Sequence, residues 1–385
     1  MKKMLLVLLL LLPITVCANE TESIINSQIE QSGISELAQQ LEKVKNKNFN
    51  EIVPRFDIKE MTKSLALGGW KWDISVILKR AFAFYCKELF ISVKIMTSLI
   101  ALAFICSLVE NLQKSFGSGG PAGAAFFACF FLVTAVAVNA FISLANSAAD
   151  LLDDIVFFVN ALIPVTLSML AAGGAVMSAG VFHGTLVACS NTVSLLAKNI
   201  LMPFILISTA LGIAGCVSEQ NSVGRLAKLF SNATKWALGA ALAVFVGIIS
   251  LQSVAMPVVD GISVKTAKYA MGAFVPVVGS VLSETLDLVF ACFTSLKNAV
   301  GVAGLVSIIA ICSATLLRLA AQASMFYLTA ALAEPISDKR IVDMLSVVAG
   351  AVTLIFALVL SVMILFVVNL TIIIGAGNNA ALFGR

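Results

Sequence analysis

From Ser346 to Ile374 the chain carries no charged residue. As a straight helix that stretch would measure about 43 Å, against about 30 Å of bilayer hydrocarbon. A run so long and so apolar belongs in a membrane, crossed at a tilt or with its ends protruding. Further apolar runs precede it: Leu89–Val109, Pro121–Ala145, residues 155–217, Trp236–Met256 and residues 271–333. Hydrophobic residues make up 60% of the 385 positions and charged residues 12%. Soluble domains carry about 25% charge, so soluble folds drop out. The expected fold class is all-α, a polytopic helical membrane protein. The net charge of +4 is small and scattered, which gives no nucleic-acid surface.

The N-terminus reads MKKMLLVLLLLLPITVCANE. Lys2 and Lys3 precede an apolar core from Met4 to Leu12, and small residues follow at Cys17-Ala18. This is the pattern of a signal peptide over residues 1–18, cut after Ala18; an uncleaved anchor is the alternative. Val16 fits a lipoprotein site poorly. Either way residues 19–88 are expected outside the cytoplasm. Ile34, Leu37, Leu41 and Val44 mark one short helix there. Ile58, Met61 and Leu65 mark another, stopped by Gly68-Gly69. A region this small buries little core by itself and needs something to pack on. From Asp73, apolar Ile74, Ile77, Leu78, Ala81, Phe82 and Tyr85 alternate with Lys79, Arg80 and Lys87. That suits an amphipathic helix in the headgroup layer, or a charged extension of the first span.

The remaining residues, 89–385, form the multipass domain. Residues 155–217 and 271–333 are each about 63 residues long. Each has room for three tight crossings, or for one crossing and a re-entrant hairpin, so roughly eight spans, give or take two, are expected. With residue 19 outside, loop 146–154 (Asp150, Asp153, Asp154) falls outside. Loops 218–235 (Arg225, Lys228, Lys235) and 334–345 (Lys339, Arg340) fall inside, as the positive-inside rule asks. Lys265, Lys268 and the basic residues before Leu89 run against it.

ALIPVTLSML at 161–170 and AFVPVVGSVL at 273–282 share five identities at an offset of 112. Two parallel repeats, 121–220 and 236–335, would explain this; so would chance in so apolar a chain. On the repeat reading Pro164, Pro276 and Gly279 break helices at related depths, and the repeat interface is the natural polar site.

Charges lie at membrane depth in 271–317. Glu284 and Asp287 share a helix face at i, i+3, and two carboxylates cannot face lipid while ionised. Lys297 lies ten residues beyond Asp287. Pairing would need a helix break or a cation from elsewhere, such as Lys198 or Arg318. Structural ion pairs and a polar path are both open readings. Gly239, Ala243 and Gly247 form a small-xxx-small stripe for close helix packing, and Gly301 and Gly304 a less regular one. The lone histidine, His183, reads as packed or cavity-facing. The eight cysteines form no CxxC pair and read as packing residues. No nucleotide-binding loop, zinc-protease motif or nucleophile elbow is present. No enzyme activity, cofactor or metal is expected.

One series of residues is more specific: Lys268-Tyr269, Gly272, Phe274-Val275-Pro276-Val277-Val278-Gly279, Glu284, Asp287, Leu296-Lys297-Asn298, Val300-Gly301, Ala303-Gly304 and Glu334-Pro335-Ile336. With the tail TIIIGAGNNAALFGR, it resembles the stage III sporulation protein AE family of spore-forming bacteria. The resemblance covers most of the chain, thinly before residue 120. It departs at Ser313-Ala314-Thr315, where a kinking proline would be expected. It implies a multipass protein of the mother-cell membrane around the forespore, in a channel or secretion-like complex joining the two cells. The implied partners are other membrane and ring-forming proteins and a secretion-type ATPase, and no catalytic residues are implied. The alternative is a permease moving a small solute between the two repeats.

Overall fold

The computed structural model describes the backbone of residues 33–44, 52, 57–67, 74–116, 120–217, 221–274 and 279–383. Side chains are described within these except at 74, 113–124, 221–222, 253–259, 261–289 and 376–383. The signal-peptide reading, Gly68-Gly69 and Pro276 lie outside the described residues, as do the side chains of Glu284 and Asp287.

Regular structure among the described residues is helical. Two short helices come first, α1 (Ile34–Val44) and α2 (Ile58–Ala66). The stripe Ile34, Leu37, Leu41 and Val44 is buried, as are Ile58 and Met61. The Asp57 side chain caps α2 by accepting from the backbone N–H of Lys59 at 2.8 Å. Neither helix makes a core alone: α1 packs on α4 and α2 on α8. Gly33, just before α1, has φ +74°, a conformation that favours glycine.

The long helices are α3 (Ile74–Phe116), α4 (Gly120–Ala172), α5 (Val176–Leu196), α6 (Met202–Val217), α7 (Asn221–Phe274), α8 (Gly279–Ala333) and α9 (Lys339–Phe383). A single π turn, Ala197–Leu201, joins α5 to α6 into one rod. Six rods are long and apolar enough to span: Ser75–Leu112, Ala125–Ala172, Val176–Val217, Val223–Gln252, Phe290–Ala333 and Lys339–Gly375. The chain is therefore a multi-pass membrane protein with six candidate spans among the described residues, the lower end of the expected eight give or take two. Neither long apolar block folds into three short crossings: residues 155–217 are the end of α4 and the α5–α6 rod, joined by the turn at Gly173-Gly174. Residues 155–172 continue α4, and residues 279–333 form one helix without interruption at Ser313-Ala314-Thr315. Loop 146–154 is no loop but the middle of α4. Residues 74–88 are the first turns of α3, which is the second of the two readings, a charged extension of the first span.

Successive rods run antiparallel. At one end Cys106 of α3 lies beside the Phe126 carbonyl of α4, 4.0 Å away. Arg340 of α9 sits over the Phe126 ring. At the other end Thr294 of α8 approaches Gly173, in the turn between α4 and α5. The rod α8 is central: it packs on α2, α3, α4, α7 and α9. Its apolar window is 61% buried, against 11% for that of α7.

Small residues allow that centrality. A Cβ at Gly301 would collide with Ile374 of α9, and one at Gly304 would stand 2.5 Å from Leu162 Cδ2 of α4. The stripe Gly239, Ala243, Gly247 is different, and the expected packing is corrected. All three are exposed, and a Cβ at either glycine would meet nothing within 4 Å. The reason is the opposite face: Leu238, Leu242, Phe245 and Ile249 pack inward, which turns the small residues out.

Pro164 does not break its helix. It sits inside α4, which ends only at Ala172, after which Gly174 takes φ +94°. A proline ring removes one helical hydrogen bond and bends the rod without ending it when packing holds both sides. Leu162, Ile163 and Val165 are all buried. Gly279 is the first residue of α8, and Pro276 lies outside the described residues.

Candidate functional site

Among the described residues, the polar contacts between rods include four that involve a charged side chain. The first is Lys297 of α8. Its side chain is fully enclosed, 1% exposed, and its Nζ donates to the Ile374 carbonyl of α9 at 2.7 Å. The bond is possible because Gly301, one turn on, lets the two backbones close up. An ammonium has three donors, and a backbone carbonyl satisfies one.

The second joins α3 to α8. Arg318 Nε donates to Glu88 Oε2 at 3.4 Å, with the Glu88 side chain 3% exposed. Nearby, Tyr85 and Ser324 share a hydrogen bond of 3.1 Å. The third joins α4 to the π turn: Lys198 Nζ reaches Asp153 Oδ2 at 2.5 Å, with both side chains about half exposed.

The fourth was not foreseen. Asp260 of α7 is buried and lies at the first turn of α5. Its carboxylate accepts from the backbone N–H of Met177 at 3.0 Å and of Ser178 at 3.2 Å, and from the Ser178 hydroxyl. A carboxylate here satisfies helix donors that lack partners and complements the positive end of the helix. The signal was available: Asp260 is a lone charge at the end of an apolar run, and Gly173-Gly174 frees a helix start.

Lys198 and Arg318 each reach a carboxylate, Asp153 and Glu88; the side chains of Glu284 and Asp287 lie outside the described residues. Lys297, Lys198 and Arg318 do not meet one another, so the described residues assemble no common polar path. Glu284 and Asp287 are on α8, nine residues or more before the buried stretch that begins with Leu296. His183 is exposed on α5 and not packed. Cys106, Cys189 and Cys312 are buried, and the cysteines described are free thiols. Among the described residues no three His, Cys, Asp or Glu side chains gather as a metal site would require.

The family model described as stage III sporulation protein AE matches residues 56–377. That span holds all six rods except the end of α9, and all four contacts. Stage III sporulation protein AE of Bacillus subtilis (strain 168) is 33% identical over 301 residues, covering 78% of this chain and 75% of the relative. No solved structure matches. The chain thus has a role in sporulation, and it belongs to the stage III sporulation protein AE family.

Proposed function

We propose that this protein is a non-enzymatic membrane subunit of a channel or secretion-like complex between mother cell and forespore, needed for forespore development after engulfment. The observation that carries the reading is the family match over residues 56–377. Geometry adds to it. The rods α4, α7 and α8, of 53, 54 and 55 residues, are each about 80 Å long, against about 30 Å of hydrocarbon. They must reach well beyond the bilayer, where subunits of an assembly meet. The polar contacts fasten neighbouring rods, which suits a scaffold more than a solute path.

In this reading the protein lies in the mother-cell membrane around the forespore, with its mature N-terminus outside the cytoplasm. Its partners are other membrane and ring-forming proteins of the complex, with a secretion-type ATPase as the energy source. A clean deletion tests it. Development should stop after engulfment and resume when the intact gene is restored. Normal spore yield in the deletion strain would overturn the proposal.

A further inference from the structure

The bundle is open on one side. Between α6, α7 and α9, with Tyr327 of α8 at its edge, lies a cleft of about 710 Å³. Its lining departs from the apolar surface around it, with Lys228, Ser231 and Lys235 on α7, and Asp343 and Ser346 on α9. Lys228, Ser231 and Lys235 are spaced i, i+3, i+7 and share one helix face. Among the described residues neither lysine forms an ion pair, and the two serine hydroxyls have no hydrogen-bond partner. The cleft thus holds two free cations, a carboxylate and unused hydroxyls.

Lys235 also lines a second depression, with Trp236, Gly239 and Ala240. Trp236 is 80% exposed. A Trp beside a Lys is the usual marker of the water–hydrocarbon boundary. Beyond it the exposed small residues Gly239, Ala243 and Gly247 leave a shallow apolar track along α7. A charged cleft therefore meets, at Lys235, an exposed face of small residues. That is the outline of a phospholipid. Basic pockets between membrane helices take lipid phosphates. Asp343 opposes a bare anion, yet it can accept from hydroxyl groups. The chemistry favours a headgroup that is anionic at phosphate and carries hydroxyls beyond it.

We propose that this cleft binds phosphatidylglycerol. The phosphate lies between Lys228 and Lys235, the glycerol hydroxyls meet Asp343 and the serines, and an acyl chain follows the Gly239–Gly247 face. The inference is independent of the channel proposal.

Native mass spectrometry of the full-length protein in detergent tests it, with phosphatidylglycerol and phosphatidylcholine of matched chains supplied in equal amounts. The wild type should retain phosphatidylglycerol preferentially, by about tenfold. K228Q/K235Q should bring the two lipids close to parity, and K228R/K235R should keep the preference. K79Q/R80Q, which removes the same charge from α3, should keep it too. Should the double glutamine variant fail to fold, K228Q and K235Q alone should each give an intermediate preference. Parity in the wild type would overturn the proposal, as would a preference unchanged in K228Q/K235Q or lost equally in K79Q/R80Q. Displacement of the lipid by inorganic phosphate alone would assign the site to a soluble anion. A co-purifying protein segment that excludes phosphatidylglycerol would assign it to a protein partner; either result contradicts the proposal.

Discussion

Gly301 and Gly304 show how a single missing methyl group sets the spacing of the rods. Adding bulk at Gly301 must push Ile374 aside, and at Gly304 Leu162. Overpacking of this kind costs about 1–3 kcal/mol. Gly301→Val should lower the midpoint of thermal unfolding in detergent clearly. Gly247→Val, on the exposed face of α7, should change stability by no more than about 0.5 kcal/mol. Lys297 makes a second test at this scale. Its amine contacts a carbonyl already in a helix, so an apolar side chain of similar length can replace it at little cost. Lys297→Met should preserve protein level and spore yield; a polar path through Lys297 predicts that the same variant sporulates poorly. These residues differ in how far the sequence revealed them. The small size of Gly301 and Gly304 was visible, but not which helix each would meet. A stripe regular enough to suggest packing, Gly239-Ala243-Gly247, faces outward, because spacing defines a face and not its neighbour.

Pairs of rods are held by contacts of unequal weight, and burial decides which matter. Glu88 is almost wholly enclosed, so removing its partner strands a buried charge, at a cost of about 3–5 kcal/mol. Arg318→Ala should therefore be severely destabilising in a denaturation assay. Glu88→Leu with Arg318→Leu should recover much of the loss, since a buried pair can be replaced by packed apolar groups. The Asp153–Lys198 pair is half exposed, and Lys198→Ala should cost about 1 kcal/mol or less. The sequence showed each of these charges but not the matches. Glu88 and Arg318 are 230 residues apart, and Asp260 and Ser178 are 82 apart. No local periodicity carries such long-range information.

Across the whole molecule, hydrophobic patterning made the class legible: apolar runs longer than a bilayer leave only membrane helices. It did not reveal how many crossings a run makes, because 60 apolar residues can fold into three short helices or extend as one. The short helices α1 and α2 were legible from their stripes, since amphipathic faces are local. The continuity of α8 past Ser313-Ala314-Thr315 agrees with the missing proline there; that of α4 through Pro164 was not legible, because neighbouring rods supply the packing that holds it. The six-span topology requires that each rod cross the membrane once. Single cysteines at Val176 and Glu334, both exposed, can be introduced after the native cysteines are replaced by alanine. Labelling with a membrane-impermeant thiol reagent, applied to intact cells and to opened vesicles, then reports the side on which each lies. Six crossings place Val176 and Glu334 on opposite sides; three tight crossings within 155–217 would place both on the same side, and that result would contradict the account.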